Sequence, residues 1–111
     1  MELNTLLSSP YFKEVIMEEA MRVELERKAV EIFEEKRIAL GLTVDALAEK
    51  LYPNVPLANA RMNLNRLRKP QVTGKPKRLS YGDFIDLCIA LDLPPERTVA
   101  RTVLETLERH D

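Results

Sequence analysis

The sequence has few of the residues from which most chemical sites are built. Its 111 residues include one cysteine, one histidine, three glycines and no tryptophan. A single cysteine excludes an internal disulfide, and His110 has no second histidine or cysteine nearby with which to form a metal site. A glycine-rich phosphate loop is also missing. We therefore expect a protein that is not an enzyme and uses no metal or cofactor, with Cys88 as a core residue.

Long apolar runs are missing as well. No stretch approaches the roughly 20 apolar residues that a membrane span needs. Residues 1–4 lack the basic and apolar regions of a signal peptide, so we expect a cytoplasmic protein. Apolar residues make up 45% of the chain and charged residues 32%. At this length, that composition predicts one ordered domain with a modest core.

Acidic residues are absent from one stretch of the chain. Although the formal net charge is only −1, residues 50–80 carry eight Lys or Arg and no Asp or Glu, between two acidic flanks. A charge run is usually a solvated surface, but solubility needs only mixed signs, as residues 11–40 have. A block of one sign creates a local field that attracts a polyanion. The pattern therefore favours a nucleic-acid partner.

The first part of the chain predicts a long N-terminal helix. Ser9 and Pro10 are a good helix start, and Gly41 is a suitable stop. The apolar face of this helix changes near "RVELERK", residues 22–28. Its first half therefore either pairs with a second copy of the chain or folds back over its own domain. Pairing is favoured by the length of the helix, because a small domain offers little surface against which so long a helix can pack.

Two shorter helices follow in the centre of the chain. Thr43 can cap a helix that ends at Tyr52 and Pro53. A second helix is predicted from Pro56 to about Lys69, with Pro70 as its stop. Its buried face consists of Leu57, Ala60, Leu64 and Leu67, and its outward face carries Asn59, Met62, Asn63 and Arg66.

The last two helices are predicted from their caps and apolar periodicity. Ser80 and Asp83 fit a capping box for a strongly apolar helix, which we expect to be the most buried one. Pro95 can begin the final helix. The apolar side of that helix holds Val99, Val103, Leu104 and Leu107. Because no stretch alternates apolar and polar residues at the strand period, we predict an all-α protein.

The central helices resemble the lambda-repressor/Cro-like helix-turn-helix family, also called the XRE family. The resemblance rests on "ALGLTVDALAEKL" and "YGDFIDLCIALDLPP" and, with the basic helix between them, covers about residues 30–95. In this pattern Gly41 ends a helix in a left-handed conformation, Thr43 is a cap, and Ala48 is small enough for a close helix crossing. The connection "YPNVP" is longer than the family's usual turn.

The resemblance implies a lambda-repressor-like bundle with a long N-terminal and a C-terminal helix. We divide the chain into residues 1–28, an N-terminal helical arm and possible dimerisation element; residues 29–95, the helix-turn-helix DNA-binding domain; and residues 96–111, a C-terminal packing helix. The helix 56–69 would lie in the major groove of DNA. The basic loop 70–79 would lie on the DNA backbone, or serve as a solvated connector.

The resemblance also implies which residues contact DNA. Asparagine can form two hydrogen bonds with adenine and arginine two with guanine, so the expected base contacts are Asn59, Asn63 and Arg66. Phosphate contacts add affinity with little sequence discrimination. The residues expected to make them are Lys50, Arg61, Asn65, Arg68, Lys69, Lys75, Lys77 and Arg78.

The expected function is sequence-specific binding of double-stranded DNA by a transcriptional regulator, of the repressor type known from prokaryotes and phages. A homodimer would read half-sites about 34 Å apart. The alternative is an antitoxin or regulatory adaptor whose acidic long helix binds a small basic, toxin-like partner protein. RNA binding is disfavoured, because the basic segment has no aromatic residue on which unpaired bases could stack.

Overall fold

The computed structural model describes residues 19–69 and 77–109, with side chains from residue 20 onward. Within these residues it contains five helices and no strand, which confirms the all-α prediction for this part of the chain. None of these helices combines the length and the apolar character that a bilayer span requires. The helices are α1 (Glu19–Ala39), α2 (Val44–Leu51), α3 (Leu57–Arg68), α4 (Tyr81–Ala90) and α5 (Pro95–Glu108). The predicted start of the long helix, at Ser9 and Pro10, lies outside the described residues.

The ends of α1 and α2 follow the predicted turn chemistry. Gly41 has a φ of 71°, the left-handed conformation that a glycine adopts at low cost. The Thr43 side chain accepts a hydrogen bond from the Ala46 N–H at 3.0 Å and so caps α2. Helix α2 then ends at Leu51, just before Tyr52, as expected. These three features fix the turn between α1 and α2.

The remaining helix ends agree with the sequence to within one residue. Pro56, predicted as the first helical residue, is instead the N-cap of α3, since its ψ of 146° is extended, and the helix begins one position later at Leu57. Lys69 is also extended, with a φ of −125° and a ψ of 150°, as expected for a residue that precedes proline. Ser80 and Asp83 form the complete capping box of α4, and Pro95 is the first residue of α5.

The main core lies between α1, α2, α3 and α4. Phe33 of α1 meets Phe84 of α4 with ring centroids 5.4 Å apart at a tilted angle. Leu47 and Leu64 are each 1% exposed, and Cys88 is fully buried. The further core residues are Ala29, Ala48, Ala60, Leu67, Leu87 and Leu91. Three of the four residues predicted for the buried face of α3, Ala60, Leu64 and Leu67, lie in this core, whereas the fourth, Leu57, is 37% exposed at the start of the helix.

Helix α5 packs against α1 through a smaller cluster. Leu25 of α1 packs against Val103 and Leu107 of α5. The buried side of α5 also carries Thr98, Thr102 and Thr106. Each threonine hydroxyl donates to the carbonyl four residues earlier, so its polar group is satisfied within the helix. The buried side of α5 therefore includes Val103 and Leu107, as predicted, but it is turned toward the threonines and away from Val99.

Three residues of α4 and α5 are more exposed than the sequence suggested. Val99 of α5 is 40% exposed, because the threonines occupy the buried side of the helix. In α4, which we expected to be the most buried helix, Tyr81 and Ile89 are 83% and 71% exposed. A helix at the surface of a small domain has only one face covered, and Leu87 and Cys88 occupy the covered face of α4.

Residues 21–28 belong to the segment that was predicted as an N-terminal arm. Met21 is 8% exposed, and Leu25 contacts the side chains of α5. This part of α1 thus packs within its own chain. Pairing of the arm with a second copy stays a prediction.

Candidate nucleic-acid interface

Helix α3 has one buried face and one outward face. Ala60, Leu64 and Leu67 are 1 to 2% exposed and anchor the helix in the main core. Helix α2 packs directly against α3, and its Ala48 is completely buried in the same core. These contacts fix which side of α3 points outward.

The three residues expected to contact bases lie together on that outward side. Asn59 and Arg66 are exposed, and Asn63 is half-buried. The spacings of four and three residues align them along one face of the helix. Met62 lies beside them and is 49% exposed, with its sulfur 3.8 Å from Arg66 Nη2. This face therefore offers two amides, a thioether and a guanidinium, and α3 contains no acidic residue.

The lysines expected to contact phosphates lie at the edges of this region. Lys50 is exposed at the end of α2, where its Nζ donates to the Ala90 carbonyl at 3.3 Å. Lys69 is exposed directly after α3, and Lys77 is exposed before α4. Lys75 lies outside the described residues. The exposed ammonium groups thus place positive charge at the edges of a mostly neutral helix face.

The arginines of the same region contact carboxylates from the acidic flanks. Arg61 of α3 binds Asp45 of α2 through two bonds, Nε to Oδ1 at 2.6 Å and Nη2 to Oδ2 at 3.0 Å. Both side chains are nearly half exposed, 46% and 44%. The hydrogen bond from Arg61 lowers the pKa of Asp45, against a smaller opposing effect of burial. The carboxylate is therefore ionised at neutral pH, and the pair links α2 to α3.

Arg68, at the end of α3, is joined to α1. Its Nε donates to Glu34 Oε1 at 2.6 Å, and its Nη1 donates to Asn65 Oδ1 at 2.6 Å. Glu34 also accepts from Arg37 at 2.7 Å. Burial raises the pKa of Glu34, but the hydrogen bonds from Arg37 and Arg68 outweigh it and leave the pKa below its ordinary value. Phosphate contacts by Arg68 and Asn65 stay predictions, and both side chains are already hydrogen-bonded within the chain.

Arg78, which lies just before α4, is also joined to α1, about two turns before Glu34. Its Nε and Nη2 donate to Glu26 at distances from 2.6 to 3.0 Å. The Leu79 N–H donates to Glu26 Oε1 at 2.7 Å, so this carboxylate holds both a side chain and the backbone. Burial raises the pKa of Glu26, but the bonds from Arg78 and Leu79 outweigh it and lower the pKa. A phosphate contact by Arg78 also stays a prediction.

Arg27 of α1 completes the contacts with the end of α3. Its Nη1 and Nη2 donate to the carbonyls of Leu67 and Arg68 at 2.7 and 2.8 Å. The last carbonyls of a helix have no partner within the helix, and a cation there also interacts favourably with the helix dipole. Sequence reasoning missed Glu26, Arg27 and Glu34, since periodicity shows that a helix is charged but does not show which distant residues its charges meet.

An apolar groove lies on another side of the molecule, between α1, α4 and α5. Its volume is about 510 Å³, and its walls are mostly apolar. Leu25, Phe84 and Val99 are among the residues that line it. Glu26 reaches one edge of this groove, so the groove adjoins the contact with Arg78 and Leu79.

The thiol of Cys88 lies in the main core and not at this interface. Among residues 19–69 and 77–109, no three of His, Cys, Asp and Glu are grouped as a metal site would require. Burial raises the pKa of Cys88, and a hydrogen bond with Thr98 partly opposes it, so the core position predicted for this thiol is confirmed. His110 lies outside the described residues.

Comparisons of the chain with protein-family models, with curated proteins and with solved structures gave no match. The resemblance to the lambda-repressor/Cro-like family therefore stays a prediction that rests on the sequence.

Proposed function

We propose that the protein binds double-stranded DNA sequence-specifically as a transcriptional regulator, with α2, the connection 52–56 and α3 acting as a helix-turn-helix. The observation that carries the proposal is the outward face of α3. It presents Asn59, Asn63 and Arg66 in one row, on a helix without acids and with a buried opposite face. An α-helix fits the major groove, where these side-chain types can bond base edges.

The exposed groups on this face suit particular bases. The amides of Asn59 and Asn63 can each pair with adenine, and the Arg66 guanidinium can pair with guanine. Met62, between them and half exposed, offers an apolar contact for a thymine methyl group. The proposed site is therefore one that contains A·T pairs next to a G·C pair.

The lysines at the edge of the face supply affinity. Lys50, Lys69 and Lys77 are exposed and would neutralise phosphates on either side of the groove. Arg61, Arg68 and Arg78 would contact phosphates only by exchanging a carboxylate partner for a phosphate oxygen. As a homodimer, which is part of the proposal, the protein would read two half-sites about one helical turn apart.

Selection from a random pool of duplexes at two salt concentrations tests the proposal. We expect an enriched motif and binding that weakens as salt rises. Arg66→Ala should cost about 1 to 3 kcal/mol at one base pair and relax the preference there. Arg97→Ala is the matched control, because it removes the same charge from an exposed position on α5. The proposal is wrong if no duplex is enriched at low salt.

The apolar groove supports a second candidate, a module that binds a partner protein. Large exposed apolar surfaces often mark protein interaction sites, and this groove lies away from the outward face of α3. In that case the chain would co-purify with a partner protein, and Val99→Glu, which puts a charge into the groove, would abolish the complex. Arg66→Ala would leave the complex unchanged.

A further inference from the structure

Two consecutive residues of α1 hold the two sides of the basic region. Arg27 donates two bonds to the carbonyls of Leu67 and Arg68, at the end of α3. Glu26 accepts bonds from Arg78 and from the Leu79 N–H, just before α4. The chain leaves α3 and returns to α4 beside the same turn of α1. Glu26 and Arg27 thus form one anchor, which binds both the end of α3 and the residues that lead into α4.

The chemistry of this anchor demands a defined geometry. The guanidinium of arginine is a planar fork, so one Arg27 can bridge two neighbouring carbonyls in a single orientation. The Glu26 carboxylate uses its oxygens for a guanidinium and for a backbone N–H at once. Because bonds to charged groups in partly buried positions are strong, the anchor restrains both segments relative to α1.

We propose that Glu26 and Arg27 are positioning residues for DNA binding, an inference that rests on the function proposed above. They hold the C-terminal end of α3 and residues 77–79 in the arrangement that contacts DNA, and they do not touch DNA themselves. Glu26 thereby strengthens the binding of a polyanion although its own charge is negative.

The sign of this effect separates positioning from charge alone. If only the overall field mattered, the loss of an acid close to the basic region would increase the affinity for DNA. Positioning predicts the opposite, since the Leu79 backbone would lose its anchor and the exposed Lys77, two residues before it, would no longer be held beside α1. The two explanations therefore differ in direction and not only in size.

The decisive measurement compares Glu26→Ala with Glu31→Ala. Both variants remove one acid from α1, and alanine preserves helix propensity. Glu31 is exposed, and within the described residues its ion pair is a local one, with Lys28 three residues before it. Affinity for the selected duplex is measured over a series of salt concentrations. We expect Glu26→Ala to bind at least fivefold more weakly, and Glu31→Ala to bind as well as the unaltered protein or slightly better.

The salt series adds a result that simple destabilisation would not produce. Each phosphate contact that is lost reduces the slope of log K against log salt by about 0.9, whereas a smaller folded fraction leaves the slope unchanged. We expect a shallower slope in Glu26→Ala. Arg27→Lys keeps the net charge but replaces the planar fork, which uses two nitrogens for the two carbonyls, with a single nitrogen, so it should also weaken binding.

Hydrogen exchange of the Leu79 amide tests the anchor without DNA. Exchange should be faster in Glu26→Ala than in Glu31→Ala, because the amide loses its acceptor. If Glu26→Ala fails to fold by circular dichroism, Glu26→Gln replaces it. Glutamine keeps one acceptor oxygen for Leu79 but loses the charge that binds Arg78, so Glu26→Gln should bind DNA more weakly than the unaltered protein and Glu31→Ala.

Distinct results overturn the inference and the proposed function. Tight binding by the unaltered protein, together with unweakened binding or an unchanged salt slope in Glu26→Ala, overturns the inference alone. Unchanged exchange at Leu79 overturns it as well. Failure of the unaltered protein to bind any duplex overturns the proposed function and this inference together.

Discussion

Removing the charge of Asp45 is predicted to strengthen DNA binding. Asp45 holds the guanidinium of Arg61 through two bonds, at 2.6 and 3.0 Å. Because both side chains are nearly half exposed, water screens their attraction, and a phosphate can compete with the carboxylate for Arg61. In Asp45→Asn the side chain is neutral and accepts fewer bonds, so Arg61 becomes available to the DNA backbone.

The size of the gain follows from counterion release. One additional phosphate contact makes log K change by about 0.9 more for each tenfold change in salt. The gain in affinity of Asp45→Asn over the unaltered protein should therefore be about eightfold larger at 0.1 M than at 1 M salt. Fluorescence anisotropy with a labelled duplex over that salt range measures both the affinity and the slope. We expect a slope steeper by about 0.9 for Asp45→Asn, and no gain when Arg61→Ala is added.

Glu108→Gln is the control for this prediction. It removes the same charge from an exposed position at the end of α5. An equal gain in Glu108→Gln would mean that only net charge matters, and no gain in Asp45→Asn would mean that Arg61 does not reach a phosphate. Either result refutes the reasoning. Asp45 and Glu26 are thus two acids whose removal has opposite predicted effects on DNA affinity.

Two further predictions concern the stability of the fold. Leu64→Ala leaves a cavity in the main core, where Leu64 is 1% exposed. It should lower the free energy of unfolding, measured by urea denaturation, by about 2 to 5 kcal/mol. A loss below about 1 kcal/mol would contradict the core assignment. Glu26 and Glu34 have lowered pKa values in the folded protein, so their stabilising contribution is present above the ordinary pKa of 4.5 and is lost as the pH falls through the folded pKa. The Tm should therefore fall on acidification below about 4.5, and less so in Glu34→Gln; an equal fall in both proteins would contradict this role of Glu34.

Local structure could be predicted well from the sequence because it depends on neighbouring residues. The left-handed Gly41, the Thr43 cap and the capping box of Ser80 and Asp83 each involve residues no more than three positions apart. The buried face of α3 was also predicted except for the exposed Leu57, since a single period of apolar residues selects it. These are the features that orient Asn59, Asn63 and Arg66 outward.

Long-range pairing could not be predicted in the same way. Glu26 and Arg78 are 52 residues apart in the chain, and Glu34 and Arg68 are 34 apart. The sequence contains many acids and bases that could pair across helices, and only the packing of α1 decides which of them meet. For the same reason, the exposure of Ile89 could not be predicted from the apolar composition of α4.

The carboxylates that bind Arg61, Arg68 and Arg78 have a consequence for how a DNA-binding protein finds its site. Non-specific binding to DNA is almost entirely electrostatic, and a genome offers a vast excess of wrong sites. Because Arg61, Arg68 and Arg78 are paired with acids of the same chain, these three cations would add little to the affinity for non-specific sites. The protein would therefore dissociate from random sequence quickly, and its residence on DNA would depend on the bases that α3 reads.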